Sequence, residues 1–200
     1  MTYSIIGTGA VGSALARHFA RSGIAVGIAN TRQPGTLAAT AQAHGDTVVP
    51  LTLQEALQAD VVILAVPFGA HAGIAAALPR WDGKVVVDAM NTYGITAAEL
   101  GDRPSTEVVA SAFKGAKVVK AFNQLPAHLL AQDPAANGGR RVMFVSSNDA
   151  EAEAAIAGLA GELGFAPIGL GQLDEGGRLI AFGGAGQGGP LVLQNLVRHG

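Results

Sequence analysis

Six residues near the N-terminus, Gly7-Thr8-Gly9-Ala10-Val11-Gly12, have the types and spacing to hold a phosphate group. Each glycine has a mechanical task. Gly7 permits a tight turn, Gly9 lets the backbone approach a diphosphate, and Gly12 lets a helix pack closely on a strand. The flanks give the motif its meaning. Tyr3-Ser4-Ile5-Ile6 before it is short, apolar and β-branched, and residues 11–22 after it carry apolar side chains at helical spacing. A strand, a glycine turn and a helix in that order set unpaired N–H groups, and the positive end of a helix dipole, beneath an anion. That is the chemistry of a dinucleotide site.

A second signal selects the dinucleotide. Residues 24–29 read as the next strand, and the chain then runs Asn30-Thr31-Arg32. An NAD site places Asp or Glu here to bond the ribose 2′-hydroxyl. Asn30 lacks the charge that would repel a 2′-phosphate. Thr31 adds a hydroxyl donor, and Arg32 can grip the phosphate with paired N–H bonds. The pattern predicts NADP.

Such residues need elements to position them. The spacing predicts helices over residues 10–21, closed by Gly23, and over 35–44, closed by Gly45. Others are expected from Thr52 through Leu57, opened by a Thr52/Glu55 capping box, and over 68–78. Two more cover 104–112, started by Asp102 or its neighbours, and 149–163, started by Asp149 or its neighbour. Strands are expected at 47–49, 60–67, 84–88, 117–122, 141–146 and 166–170, the last an edge strand because of Pro167. Residues 131–139 read as a polar loop and 191–197 as a short final helix. Residues 183–189 hold five glycines, either a linker or a loop hugging a ligand. The alternation predicts an α/β protein: a doubly wound, mostly parallel Rossmann sheet with helices on both faces. It is expected to be one domain over 1–200, with a core at 1–125 and a C-terminal βαβ extension over about 140–200. Ligands of such sheets bind outside the carboxyl ends of the strands. Three loops therefore face the cofactor: Val66-Pro67-Phe68, Ala89-Met90-Asn91 and Phe122-Asn123-Gln124-Leu125-Pro126.

Composition narrows the partners. Of the 200 residues 49% are hydrophobic and only 14% charged, with a mean hydropathy of +0.34. So few charges predict extensive burial under a sheet or in a subunit interface, hence a homodimer. A net charge of −2 with no basic run argues against nucleic acid. No apolar run approaches the roughly 18–20 residues needed to cross a bilayer, and no secretory signal pattern is seen. The lack of cysteine rules out disulfides and thiolate chemistry and fits a cytoplasmic protein.

Acid–base chemistry is sparse. His18, His44, His71, His128 and His199 are scattered and match no zinc spacing. His18 and His44 read as surface or satisfied residues, while His71 and His128 follow cofactor-facing loops. Trp81, between Pro79 and Gly83, reads as packing. Tyr93 has no lysine four residues on, so the Ser/Lys/Tyr arrangement of short-chain alcohol dehydrogenases is missing. A dinucleotide domain without a protein acid–base pair suits acceptors that need only a hydride and an orientation. Flavins and deazaflavins are such acceptors, because they carry their own reactive ring. A non-catalytic NADP sensor, or a carbonyl or imine reductase completed by a partner subunit, remain the alternatives.

The glycine motif, Asn30-Thr31-Arg32, Ala65-Val66-Pro67-Phe68 and Ala121-Phe122-Asn123-Gln124-Leu125-Pro126 together resemble the NADPH:deazaflavin-coenzyme (factor 420) oxidoreductases. The resemblance runs from residue 2 to about residue 182, and the reductase domains of membrane ferric reductases look similar. It implies that Thr8, Gly9, Ala10 and Val11 cradle the diphosphate, that Thr31 and Arg32 hold the 2′-phosphate, and that Val66 and Pro67 run along the cofactor. Asn123, Gln124 and Leu125 are then expected where nicotinamide and deazaflavin rings meet, with Asn123 and Leu125 as the residues of hydride transfer. Met90 and Asn91, from a cofactor-facing loop, complete the expected site.

Overall fold

Short β-branched runs form the middle of a sheet that is covered on both faces. The computed structural model of the protein describes residues 1–30, 34–187 and 191–194. Six strands run parallel: β1 (Tyr3–Ile6), β2 (Val26–Ala29), β3 (Val48–Pro50), β4 (Val61–Leu64), β5 (Val85–Asp88) and β6 (Lys117–Ala121). Their order is β3-β2-β1-β4-β5-β6, so the chain reverses direction across the sheet between β1 and β4. That switch point is where a Rossmann sheet opens its ligand crevice.

The interleaved helices are α1 (Ala10–Arg21), α2 (Ala38–His44), α3 (Leu53–Ala56), α4 (His71–Ala75), α5 (Ser105–Ala112) and α6 (Ala127–Leu130). Adjacent strand residues feed opposite cores, as the two-residue period requires. Ile5 and Ile63 join Leu15 and Phe19 on one face. Ile6 and Leu64 join Trp81, Val109 and Phe113 on the other. Each such side chain, fully buried, contributes roughly 1.5–3 kcal/mol. Trp81 is a packing residue: it donates its indole N–H to Ala75 O at 3.0 Å and meets Phe113 edge-on.

Beyond β6 the sheet continues in mixed sense. β8 (Gly139–Ser147) pairs antiparallel with β6. After α7 (Ala150–Glu162) the chain returns as β9 (Ala166–Gly169), parallel to β8. The expected caps at both Thr52 and Asp149 are present. Thr52 forms the reciprocal box with Glu55, and Asp149 accepts from Ala152 N at 2.9 Å. A short α8 (Gly176–Ile180) follows.

Several expectations need correction. The helix over 35–44 begins as a 3-10 turn, Pro34–Leu37, before α2. That over 68–78 divides into a 3-10 turn, Phe68–Ala70, and the short α4. The turn is fixed where His71 Nδ1 meets Phe68 O at 2.6 Å. Asp102 does not cap α5: the N-cap is Pro104, and Asp102 sits in the left-handed region at φ 55. The loop over 131–139 contains β7 (Ala135–Ala136), hairpinned onto β8. Asn137 and Gly138, at φ 49 and 76, supply the two positive angles of a primed turn. The final helix expected over 191–197 is replaced, within the described residues, by β10 (Val192–Gln194), which is antiparallel to β8. The outer half of β8 extends past β6 and offers free N–H and C=O groups, which a strand satisfies and a helix does not.

Candidate active site

The turn between β1 and α1 is built by two close approaches. Gly7 has φ 105, and a Cβ there would lie 2.2 Å from Ala65 O. A Cβ on Gly12 would lie 1.8 Å from Gly7 O. Both positions therefore exclude a side chain. Gly7 N also donates to Ala29 O at 2.8 Å, and Ala65 N to Ile6 O at 2.8 Å, which ties β1 to both neighbours at the crevice. Gly9 differs, since a Cβ there would meet nothing within 4 Å and would enter the cleft.

Gly9 is the N-cap of α1, which has no side-chain cap and no acidic residue in its first turn. The first N–H groups of the helix thus face the cleft without a carboxylate to compete for them. An anion completes such a terminus. The cleft itself has a volume of about 660 Å³ and is lined by Gly7, Thr8, Gly9, Asn30, Val66 and Pro67, among others. An open Gly9, an uncapped helix and a cavity of this size fit a dinucleotide. Thr31 and Arg32, expected at its ribose end, and His199 lie outside the described residues.

A second cavity of about 360 Å³ adjoins the first through Gly9, Ala65, Val66 and Pro67. Its further lining includes Ala10, Val11, Met90, Asn91, Tyr93 and Leu125. The three loops expected to face the cofactor all reach the two cavities, Val66-Pro67 bordering both. Among the described residues, Tyr93 is the sole titratable side chain in the lining of the second.

Asn123 does not line it. Its side chain is 2% exposed, and Nδ2 donates to Asn91 Oδ1 at 3.1 Å and to Ile180 O at 2.6 Å. Asn91 Nδ2 returns a bond to Asn123 O at 3.0 Å. Gln124 is equally enclosed: it accepts from Phe144 N at 2.7 Å and donates to Val142 O at 3.1 Å, extending the ladder of β8. These two amides position the loop, and Leu125 is the member that reaches the cavity. The bend that turns them apart falls at Phe122, buried with φ 63, a strained angle for a bulky residue.

Beneath the loop after β5 lies a feature that the sequence reading missed. Asp88 and Lys120 form an ion pair at 3.1 Å, with side chains 0% and 2% exposed. Asp88 Oδ1 accepts from Met90 N at 3.0 Å, and Lys120 Nζ donates to Met90 O at 2.6 Å. The pair clamps both backbone groups of Met90, fixing the cavity floor. A signal existed: two opposite charges inside apolar runs, facing in register on neighbouring strands. The described histidines, at 18, 44, 71 and 128, stay out of the lining of these two cavities. His18 is buried against Leu130 O and Phe165, and His128 is exposed.

A parallel sheet in this order, with a glycine turn feeding an uncapped helix, defines a dinucleotide-binding Rossmann-type protein. Residues 2–92 match the family described as NADP oxidoreductase, coenzyme F420-dependent; the chain is an oxidoreductase of the NADP-dependent kind, and NADP(H) is its nucleotide. A hypothetical protein from Sinorhizobium meliloti is 45% identical, with a TM-score of 0.89 over 98% of this chain and 96% of that one. A candidate F420-dependent NADP-reductase from Arthrobacter sp. is 27% identical, with a TM-score of 0.74 over 96% and 99%. The rat metalloreductase STEAP3 is 29% identical over 172 residues, 84% of this chain but 33% of that protein, so the chain spans about a third of its length. A reductive aminase from Aspergillus terreus, solved with NADPH, shares the fold at 21% identity and a TM-score of 0.64, over 88% of this chain and 56% of that one. Among the described residues no helix is long and apolar enough to cross a membrane.

Proposed function

We propose that the protein passes a hydride between NADP(H) and a flavin or deazaflavin ring. The observation that carries this reading is the second cavity, which continues the nucleotide cleft and whose described lining side chains are apolar but for Asn91 and Tyr93. Carbonyl and imine reduction calls for a positioned proton donor. A flavin-type ring does not, because it takes the charge into its own conjugated system.

Thr8, Gly9, Ala10 and Val11 hold the diphosphate, while Asn30, Thr31 and Arg32 hold the 2′-phosphorylated ribose. Val66, Pro67, Met90 and Asn91 flank the nicotinamide. When bound, NADPH supplies a hydride, with its electron pair, and leaves as NADP+, the acceptor drawing its proton from water. The chain contributes proximity and orientation. Leu125 presses apolar surface on the acceptor side, and Asn123 fixes Leu125 and Asn91 relative to each other. Such positioning toward a separation of about 3–3.5 Å is a large part of the rate available without acid–base groups.

The unit that does this is one domain over residues 1–200. Its low charge content favours a homodimer, and the absence of cysteine suits the cytoplasm. Light scattering at micromolar concentration tests the assembly, a monomer mass refuting it. The function is tested by NADPH oxidation with riboflavin, FMN and a 5-deazaflavin, in the parent and in Leu125→Trp. Turnover in the parent, reduced in the variant with NADPH affinity kept, is the expected result. Tight NADPH binding without turnover on any ring acceptor would instead make the protein a sensor.

A further inference from the structure

Two large exposed aromatic side chains meet where Tyr93 lines the second cavity. Tyr93, from the loop after β5, lines it and is 69% exposed; Phe182, just past α8, is 46% exposed. Their rings meet edge to face, with centroids 4.4 Å apart and planes at 66°. Exposed rings of this size gain little from water, and a pair this open leaves ring faces uncovered.

The chain nevertheless holds them firmly. Ile180 O, two residues before Phe182, accepts from the buried Asn123 amide. Gln187 Oε1 accepts from Gly183 N at 2.7 Å, and Gln187 Nε2 donates to Asn91 Oδ1 at 3.1 Å. Gly186 N donates to Leu179 O at 2.8 Å, and a Cβ on Gly184 would lie 2.4 Å from that same oxygen. The glycines at 183, 184 and 186 thus let the segment fold back on α8 and return Gln187 to Asn91. Asn91 gathers amides from two separate parts of the chain, at Asn123 and Gln187. One of these parts carries Phe182, and Tyr93 is two residues from Asn91 itself.

We infer that Tyr93 and Phe182 form the outer wall of the acceptor pocket and select a flat aromatic acceptor, Tyr93 acting through its ring and not its hydroxyl. The inference rests on the hydride-transfer reading for the place of the acceptor. Its physical basis is separate: two held, open aromatic faces beside an apolar cavity offer stacking and edge contacts to a planar ring. A small aliphatic carbonyl compound has no face to present to them. The wall also accounts for a segment so rich in glycine, whose task is to bring Phe182 and Gln187 to the site.

The test is binding of riboflavin and of 5-deazariboflavin, which lack a phosphate tail, to NADP+-saturated protein, read by quenching of ring fluorescence. Tyr93→Ala and Phe182→Ala are each expected to weaken binding about three- to tenfold, while Tyr93→Phe and Phe182→Tyr stay within about twofold of the parent. Both positions are exposed, so melting temperature and NADP+ affinity are expected to hold. Unchanged binding in both alanine variants overturns the wall, as does a parent that binds neither ring. A loss in Tyr93→Phe equal to that in Tyr93→Ala overturns the ring-only role and points to the hydroxyl as a proton donor. Turnover separates the two readings. A parent that binds these rings through Tyr93 and Phe182 but oxidises no NADPH keeps the wall and sinks hydride transfer. Normal turnover with both alanine variants at parental KM does the reverse.

Discussion

Asn91 and Asn123 hold each other twice: Asn123 Nδ2 donates to Asn91 Oδ1 at 3.1 Å, and Asn91 Nδ2 donates to the Asn123 carbonyl at 3.0 Å. They stand at the ends of neighbouring strands β5 and β6, so the exchange continues the sheet by side chains past the point where its backbone ladder stops. Asn123→Ala removes the Nδ2 bonds to Asn91 Oδ1 and to Ile180 O and keeps the backbone carbonyl bond. The expected cost is roughly 1–3 kcal/mol, or a melting temperature lower by several degrees. Acceptor KM should rise more than NADPH Kd. An unchanged melting temperature by circular dichroism would refute the positioning role.

The glycine turn predicts two opposite outcomes from one methyl group. Gly12→Ala drives a Cβ onto Gly7 O, backbone that cannot step aside, and should destabilise the protein by about 1–3 kcal/mol or more. Gly9→Ala meets open space and should melt with the parent, yet its methyl enters the cleft and should weaken NADPH binding. Calorimetry and thermal melts on both variants check the pair. Equal behaviour would contradict the division of labour.

Nucleotide choice is expected to reside in Arg32. Arg32→Ala should weaken NADPH binding by roughly 1.5–3 kcal/mol, about 10- to 100-fold, and leave NADH binding nearly unchanged. Equal losses for the two nucleotides, by calorimetry, would remove Arg32 from the 2′-phosphate.

The Asp88–Lys120 pair should show the asymmetry of buried charges. Lys120→Met leaves Asp88 enclosed without its cation and should cost about 3–5 kcal/mol. Combining it with Asp88→Asn should recover part of that loss, since no charge is then stranded. Denaturant melts of the single and double variants decide, and a double variant less stable than Lys120→Met would count against the argument.

His18 gives the protein a pH dependence of stability. Burial, ahead of every other cause, holds its pKa below the usual histidine value; Arg21 and Arg17 push the same way, and the bond to Leu130 O and the Asp133 charge oppose. The unfolded chain therefore binds a proton more readily than the folded one as pH drops below about 6.5. The stability from this group is complete above that pH and is lost as pH falls toward the lowered value. Melting temperatures from pH 7.5 to 5 should fall more steeply in the parent than in His18→Gln; matching slopes would refute the assignment.

Much of this protein could be read from local pattern, because local pattern was sufficient to set it. Gly7 and Gly12 announce a turn whose steric demands arise within six residues. The apolar run into Val61–Leu64 marks a strand covered on both faces, and Thr52 and Asp149 cap helices through bonds three residues long. Alternation of these elements then leaves a doubly wound sheet as the way to bury both faces of each strand. What stayed hidden depends on partners far apart in the chain. The strand at Val192–Gln194 exists because β8 overhangs β6, and the sequence of that segment does not carry this information. Asn123 read as a group for the acceptor, but folding gives its amide to Asn91 and to Ile180, 57 residues away. Gln187 reaches Asn91 across 96 residues, and with it a glycine-rich stretch of undecided purpose becomes part of the site. Side-chain type states which bonds a residue can make; only the packed structure decides which partner arrives first.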